Sequence, residues 1–169
     1  MGEGTHEIER RYLVTVRAGL WRDLGAGLSF RQGYVKTGSP SVRIRTGEPR
    51  GPVLTCKSGS GVKRTEVESV VSGAMAEALF QAAKSRIIEK VRYSMGPWEL
   101  DRFTGDLEGL TLLEIELEHE DDPIPDPPDG VSVLREVTDD NHFTSSHLAR
   151  LESSEKRRLV KTLYPGAMR

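Results

Sequence analysis

The 169-residue chain has a single cysteine, Cys56, so it carries no internal disulfide framework, and no Cys/His grouping suggests a zinc site. No apolar run approaches the roughly 18 residues of a membrane-spanning helix. Residues 1–5 have neither the basic region nor the apolar core of a signal peptide. Aromatic residues are only 6%, and no aromatic-rich stretch offers a pocket for a nucleobase; Trp21, Trp98 and Tyr34 read as packing residues. There is no excess of one charge either: 24 Lys and Arg stand against 26 Asp and Glu, a formal net charge of −2. That balance excludes a general attraction to nucleic acid or anionic membrane, so any electrostatic function must come from local segregation of charge. A soluble, cytoplasmic protein with no nucleic-acid or membrane partner is expected.

What the chain does have is charge in quantity. Charged residues are 30% of the sequence, above the usual quarter or so. Hydrophobic residues at 36% still suffice for a core, and the length fits one domain spanning 1–169. Alternating patterns predict strands over 7–14, 28–35, 41–46, 53–57, 62–71, 87–95, 98–104, 112–118 and 131–138, separated by turns rich in Gly, Pro and Ser. A short helical turn is expected within 17–24. Ser72 should cap a helix over 73–84, with Met75, Leu79 and Ala82 at helical spacing, and Ser145 or Ser146 a helix reaching Leu151. Residues 121–130 hold four of the nine prolines and four aspartates, which predicts a stiff surface loop. From Lys156 onward the tail is basic and reads as an exposed helix or frayed end.

The charges fall on these strands in like-signed doublets. Side chains at i and i+2 of a strand share a face, which pairs Glu7 with Glu9, Glu66 with Glu68, Glu99 with Asp101, Glu114 with Glu116, Arg43 with Arg45 and Lys90 with Arg92. Arg11, Lys57 and Arg64 join them singly. Any one doublet reads as the solvent face of a half-buried antiparallel sheet. The set is harder to read so, because solvent faces usually mix signs and like charges close together repel. If the strands close on themselves, an interior of Arg, Lys and carboxylates would be untenable empty. It becomes reasonable around a polyanion and hard cations, since Arg and Lys match phosphate oxygens and paired carboxylates match Mg²⁺ or Mn²⁺.

Eight fragments in order carry a resemblance: Glu-x-Glu-x-basic at Glu7, Glu9 and Arg11; Arg-x-Arg at Arg43 and Arg45; Thr-x-Lys at Thr55 and Lys57; Arg-x-Glu-x-Glu at Arg64, Glu66 and Glu68; Lys-x-Arg-Tyr at Lys90, Arg92 and Tyr93; Glu-Leu-Asp at 99–101; Glu-Ile-Glu at 114–116; and Glu-Val-Thr at 136–138. Together they resemble the CYTH domain, or triphosphate tunnel metalloenzymes, over a core of about 5–150, leaving 151–169 as a basic C-terminal helix or tail.

The resemblance implies an α+β, mainly β fold: an eight-stranded antiparallel β-barrel tunnel with flanking helices. It implies a substrate-gripping set of Arg11, Arg43, Arg45, Lys57, Arg64, Lys90 and Arg92. A metal-holding set is drawn from Glu7, Glu9, Glu66, Glu68, Asp101, Glu114 and Glu116, for two ions of Mg²⁺ or Mn²⁺. Lys90, Glu9 and Arg11 are the expected catalytic residues, and a homodimer is what the family suggests. Where the family has a lysine this chain has Arg11, a planar, always-charged fork in place of a compact ammonium. The implied activity is hydrolysis of inorganic triphosphate; rival readings are a nucleoside or thiamine triphosphatase, a class IV type adenylate cyclase, and a non-catalytic polyphosphate-binding module. His6, His119, His142 and His147 are scattered and read as surface or capping residues, and Cys56, opposite in parity to Lys57, as a small core residue.

Overall fold

A computed structural model describes the backbone of residues 5–60 and 63–165, and the side chains of residues 8–59 and 65–165. Nine antiparallel strands are present: β1 (Thr5–Val16), β2 (Leu28–Lys36), β3 (Ser41–Thr46), β4 (Val53–Ser60), β5 (Lys63–Val70), β6 (Ile87–Met95), β7 (Trp98–Phe103), β8 (Thr111–Leu117) and β9 (Val131–Glu136). Among the described residues four α-helices accompany them, α1 (Leu20–Leu24), α2 (Gly73–Ala83), α3 (Ser145–Arg150) and α4 (Ser153–Leu163), with 3₁₀ turns at Gly105–Leu107 and Asn141–Phe143. The order across the sheet is β5-β4-β3-β2-β6-β7-β8-β1-β9. β1 also reaches back to β5, but only through Thr5 to Ile8, while the rest of β1 pairs with β8 and β9. The eight-stranded barrel is thus corrected: the sheet has nine strands, β9 lies outside on β1, and the curl is not closed along its full length. The tunnel character of the fold holds.

Strand parity explains what the curl encloses. One face carries Glu9 and Arg11 of β1, Arg43 and Arg45 of β3, Lys90 and Arg92 of β6, and Glu114 of β8. Further along the same face come Leu13, Ile88, Phe103 and Leu112, which join Leu107, Leu110, Val137, Phe143 and Leu148 in an apolar cluster that plugs one end. The opposite face packs outward, with Val14, Trp98, Leu100, Leu113 and Ile115 covered by α1 and the start of β9. The proline-rich loop is fastened there by Trp98, whose indole N–H donates to the Asp126 carbonyl at 3.1 Å.

α2 begins where expected, the Ser72 hydroxyl accepting the Met75 N–H at 3.2 Å. Its buried stripe is Ala76, Phe80 and Ala83, one position on from the expected stripe, and Met75 is half exposed. The cause lies beneath the helix: a Cβ on Gly33 would come within 2.9 Å of the Phe80 ring, so the glycine admits that ring to the sheet. Thr144, not Ser145 or Ser146, caps α3. The tail from Lys156 is helical as expected, with Arg157, Arg158 and Lys161 exposed, but its other face is packed. It belongs to α4, which starts at Ser153 under a Glu152/Glu155 capping box. Lys156 is buried and donates to the Ile87 carbonyl, while Leu159, Val160 and Leu163 pack against the plug. Tyr164 anchors the end by donating to the Val14 carbonyl at 3.0 Å. Cys56 is exposed, on the outer face of β4, and not a core residue.

Candidate active site

The charged face lines one cavity of about 680 Å³. Arg11, Arg43, Arg45, Lys57, Lys90 and Arg92 all border it, as do Glu9, Glu66, Glu68, Glu114 and Glu116. Asp101 lies behind the wall with no exposure. The side chains of Glu7 and Arg64 fall outside the described residues; in the backbone the two positions are direct partners across β1 and β5.

Two walls differ in how their charges are held. On β1, β6, β7 and β8, the Arg11 guanidinium donates to Glu9 and, at 2.7 Å, to Glu114. Arg92 donates to both oxygens of Asp101, at 2.7 and 2.6 Å, and to Glu114 at 2.7 Å, and it pairs with Glu99. Lys90 donates to Asp101. Adjacent strands put these groups in register, with Arg11 opposite Glu114 and Arg92 opposite Asp101. Burial works against every charge here, and the partners decide the outcome. For Arg11 and Arg92 the neighbouring carboxylates outweigh burial and push the pKa up. For Glu114 burial is again outweighed, by Arg11, Lys90 and Arg92, and its pKa falls well below the usual carboxylate range. For Lys90 burial wins over the attraction of Asp101, so its pKa is lowered.

On β3, β4 and β5 only the Arg43 and Arg45 pairings with Glu66 and Glu68 are longer, while Lys57–Glu66, Arg45–Glu48 and Arg50–Glu68 are short. Arg43 donates to the Thr55 hydroxyl at 3.0 Å, and Thr55 donates to Glu68 at 3.0 Å. Arg43 stands 3.9 Å from Glu66 and 3.6 Å from Glu68, and Lys57 pairs with Glu66 at 2.6 Å. Burial would raise the Glu68 pKa, but hydrogen bonds with Glu66, Arg50 and Thr55 bring it down to about 2. Thr55 was not picked out as a site residue; its place in the Thr-x-Lys fragment was the only signal. Glu99 borders the cavity with its parity partner hidden behind it. Thr138, from the Glu-Val-Thr fragment, accepts the backbone N–H of Arg11 at 3.0 Å and so fixes that part of β1.

Among the described residues four buried guanidinium nitrogens have no protein acceptor, and three of them, Arg11 Nη1, Arg43 Nε and Arg45 Nε, belong to residues that line the cavity, the fourth being Arg10 Nε. A buried donor left unpaired costs about 1–3 kcal/mol, and phosphate oxygens would satisfy such donors. Glu9 faces Glu116 directly across neighbouring strands, where like charges are unfavourable without a cation between them and a hard cation would fit; Glu99 and Glu114, also cross-strand partners, are already bridged by Arg92. Among the described residues no three carboxylate, imidazole or thiol groups converge on one point.

Fold and site together define a tunnel lined by cationic side chains beside carboxylate pairs. The chain is 33% identical to an inorganic triphosphatase of Acetivibrio thermocellus over 85% of its own length and 93% of that protein. It is 36% identical to an inorganic triphosphatase of Nitrosomonas europaea over 85% of its length and 96% of that protein. A crystal structure of an inorganic triphosphatase superposes with a TM-score of 0.59 at 32% identity, covering 89% of this chain and 99% of the other. No family model matches the sequence. The chain belongs to the CYTH triphosphatase family.

Proposed function

We propose that the chain hydrolyses a phosphoanhydride bond of inorganic triphosphate and releases phosphate. The observation that carries this reading is the set of unpaired guanidinium donors of Arg11, Arg43 and Arg45 within a cavity walled by carboxylate pairs. Glu9 and Glu116 on one side and Glu66 and Glu68 on the other would hold two divalent cations, Mg²⁺ or Mn²⁺, which would neutralise phosphate oxygens and activate water; Glu114, with Arg11 on one oxygen and Arg92 on the other, positions those two arginines. The chain itself supplies positioning and charge, which is most of what phosphoryl transfer asks of a protein. Arg43, Arg45, Lys57 and Arg92 hold the phosphate chain extended, with Arg64 added from β5. Arg11 grips one phosphate while its pairing with Glu9 and Glu114 fixes the carboxylates. Lys90 faces the transferring phosphoryl group and stabilises charge developing there, oriented by Asp101. Asp101 thus acts as a positioning residue more than a metal ligand, since Lys90 and Arg92 occupy its oxygens.

A second reading, a nucleoside or thiamine triphosphate as substrate, draws support from the uncharged side chains of Thr37, Ser39, Asn141, Ser145 and Ser146, which line the cavity together with His147 and Arg150. Phosphate release from tripolyphosphate, ATP, thiamine triphosphate and pyrophosphate, with and without Mg²⁺ and Mn²⁺, separates the readings. Fastest release from tripolyphosphate, dependent on metal, is expected. Tight binding of tripolyphosphate with no release from any of the four would leave a binding module instead.

A further inference from the structure

The segment between β3 and β4 carries two charged side chains that reach into the tunnel walls. Glu48 pairs with Arg45, and Arg50 with Glu68. Neither residue belongs to a strand or to the doublet pattern. The Glu48 side chain is only 17% exposed and Arg45 only 13%, so this is not a solvated surface pair. Gly47, with φ of +107°, makes the contact geometrically available: a Cβ there would meet the Ser29 carbonyl oxygen at 1.9 Å, so only glycine lets the chain fold back this tightly after β3. Arg45 is held from a second side by the Phe30 ring, 5.0 Å from its guanidinium carbon. Its Nε remains without an acceptor.

We infer that Glu48 is a built-in counter-ion that competes with substrate phosphate for Arg45 and thereby lowers the protein's affinity for triphosphate. This inference rests on the triphosphatase reading above. A substrate phosphate brought to Arg45 meets the Glu48 carboxylate at the same guanidinium, and the two negative charges repel. Affinity is set by what the wall gains from phosphate less what it loses at Glu48. The carboxylate also orients Arg45, and the two roles separate by substitution. Glu48→Gln keeps an oxygen acceptor for the guanidinium but removes the charge; Glu48→Ala removes both.

The test is calorimetric binding of tripolyphosphate to the full chain with Ca²⁺ in place of Mg²⁺, together with steady-state hydrolysis with Mg²⁺. For Glu48→Gln, binding about five- to tenfold tighter than wild type is expected, with KM falling in step and kcat within about twofold. Unchanged or weaker binding by Glu48→Gln overturns the inference, and weakening in Glu48→Ala alone would then leave Glu48 a purely orienting residue. If the wild-type chain neither binds nor hydrolyses tripolyphosphate, it is the triphosphatase reading that fails. A matching thermal unfolding midpoint for wild type and Glu48→Gln confirms that the compared proteins are equally folded.

Discussion

The two walls of the tunnel use the same residue types and hold them differently. On the wall built from β1, β6, β7 and β8, Arg11, Lys90, Asp101 and Glu114 are buried and knit into one network of short contacts. On the wall built from β3, β4 and β5, Lys57 and Glu68 keep a fifth to a quarter of their side-chain surface, several ion pairs stretch to 3.6–3.9 Å, and a loop supplies two of the partners. A buried network stands in its working geometry before substrate arrives, which is what electrostatic catalysis requires. A looser wall can adjust to a ligand and contributes mostly to binding. The first wall should therefore govern turnover and stability, and the second affinity.

The largest effect should follow from Lys90→Ala. Asp101 has no exposure and would keep only Arg92, so a loss of about 3 kcal/mol of stability is expected, with turnover down about a thousandfold. Urea unfolding and phosphate release measure both; near wild-type turnover would remove Lys90 from the mechanism. Because burial lowers its pKa, Lys90 loses its proton at a lower pH than an exposed lysine. Activity should therefore fall on the alkaline side as pH rises through the lowered pKa. In Lys90→Arg that alkaline limb should vanish from the accessible range, at reduced kcat, since arginine stays protonated. A limb unmoved in Lys90→Arg assigns it to another group.

Next in size is the acid response of the same wall. Glu114 has a depressed pKa in the folded chain, so its stabilising contribution is present above its unfolded value of about 4.3 and is lost as pH falls through the folded value. Glu114→Gln should flatten the dependence of stability on pH below about 4.5, while costing stability at neutral pH because Arg11 and Arg92 lose a charged partner. Denaturant unfolding at pH 3, 5 and 7 checks this; parallel curves for the two proteins would place the acid sensitivity elsewhere.

How far the sequence discloses this contrast depends on the residue. Parity pairs Arg43 with Arg45, Lys90 with Arg92 and Glu114 with Glu116, each on a face of its own strand, and the structure brings these and Lys57 to one cavity. Parity does not say which face curls inward, nor what covers the other. Alternation puts Cys56 opposite Lys57 and so suggests the core, yet on β4 at that point the tunnel is inside and Cys56 looks out. The stripe of α2 shifts by one residue because Phe80 finds a gap over Gly33, a long-range fit that helical spacing cannot register. Glu48 and Arg50 carry no local signal, since their partners are set by how a turn folds back over neighbouring strands.

On the looser wall, Arg43→Ala should raise KM for tripolyphosphate about tenfold and leave kcat within about threefold, with a stability change near 1 kcal/mol. A collapse of kcat comparable to Lys90→Ala would erase the distinction between the walls.

The smallest effect locates the boundary between the tunnel and its outer surface. Cys56 faces Val42 and Val67 across its neighbouring strands, and Val67 is 44% exposed, so the outer side of β4 has little packed over it there. Cys56→Ser should shift stability by no more than about 0.5 kcal/mol and leave KM and kcat unchanged, whereas replacing its chain neighbour, Lys57→Ser, should raise KM severalfold. Equal kinetic responses at 56 and 57 would mean that alternation fails along this strand, and with it the reason Lys57 belongs to the wall at all.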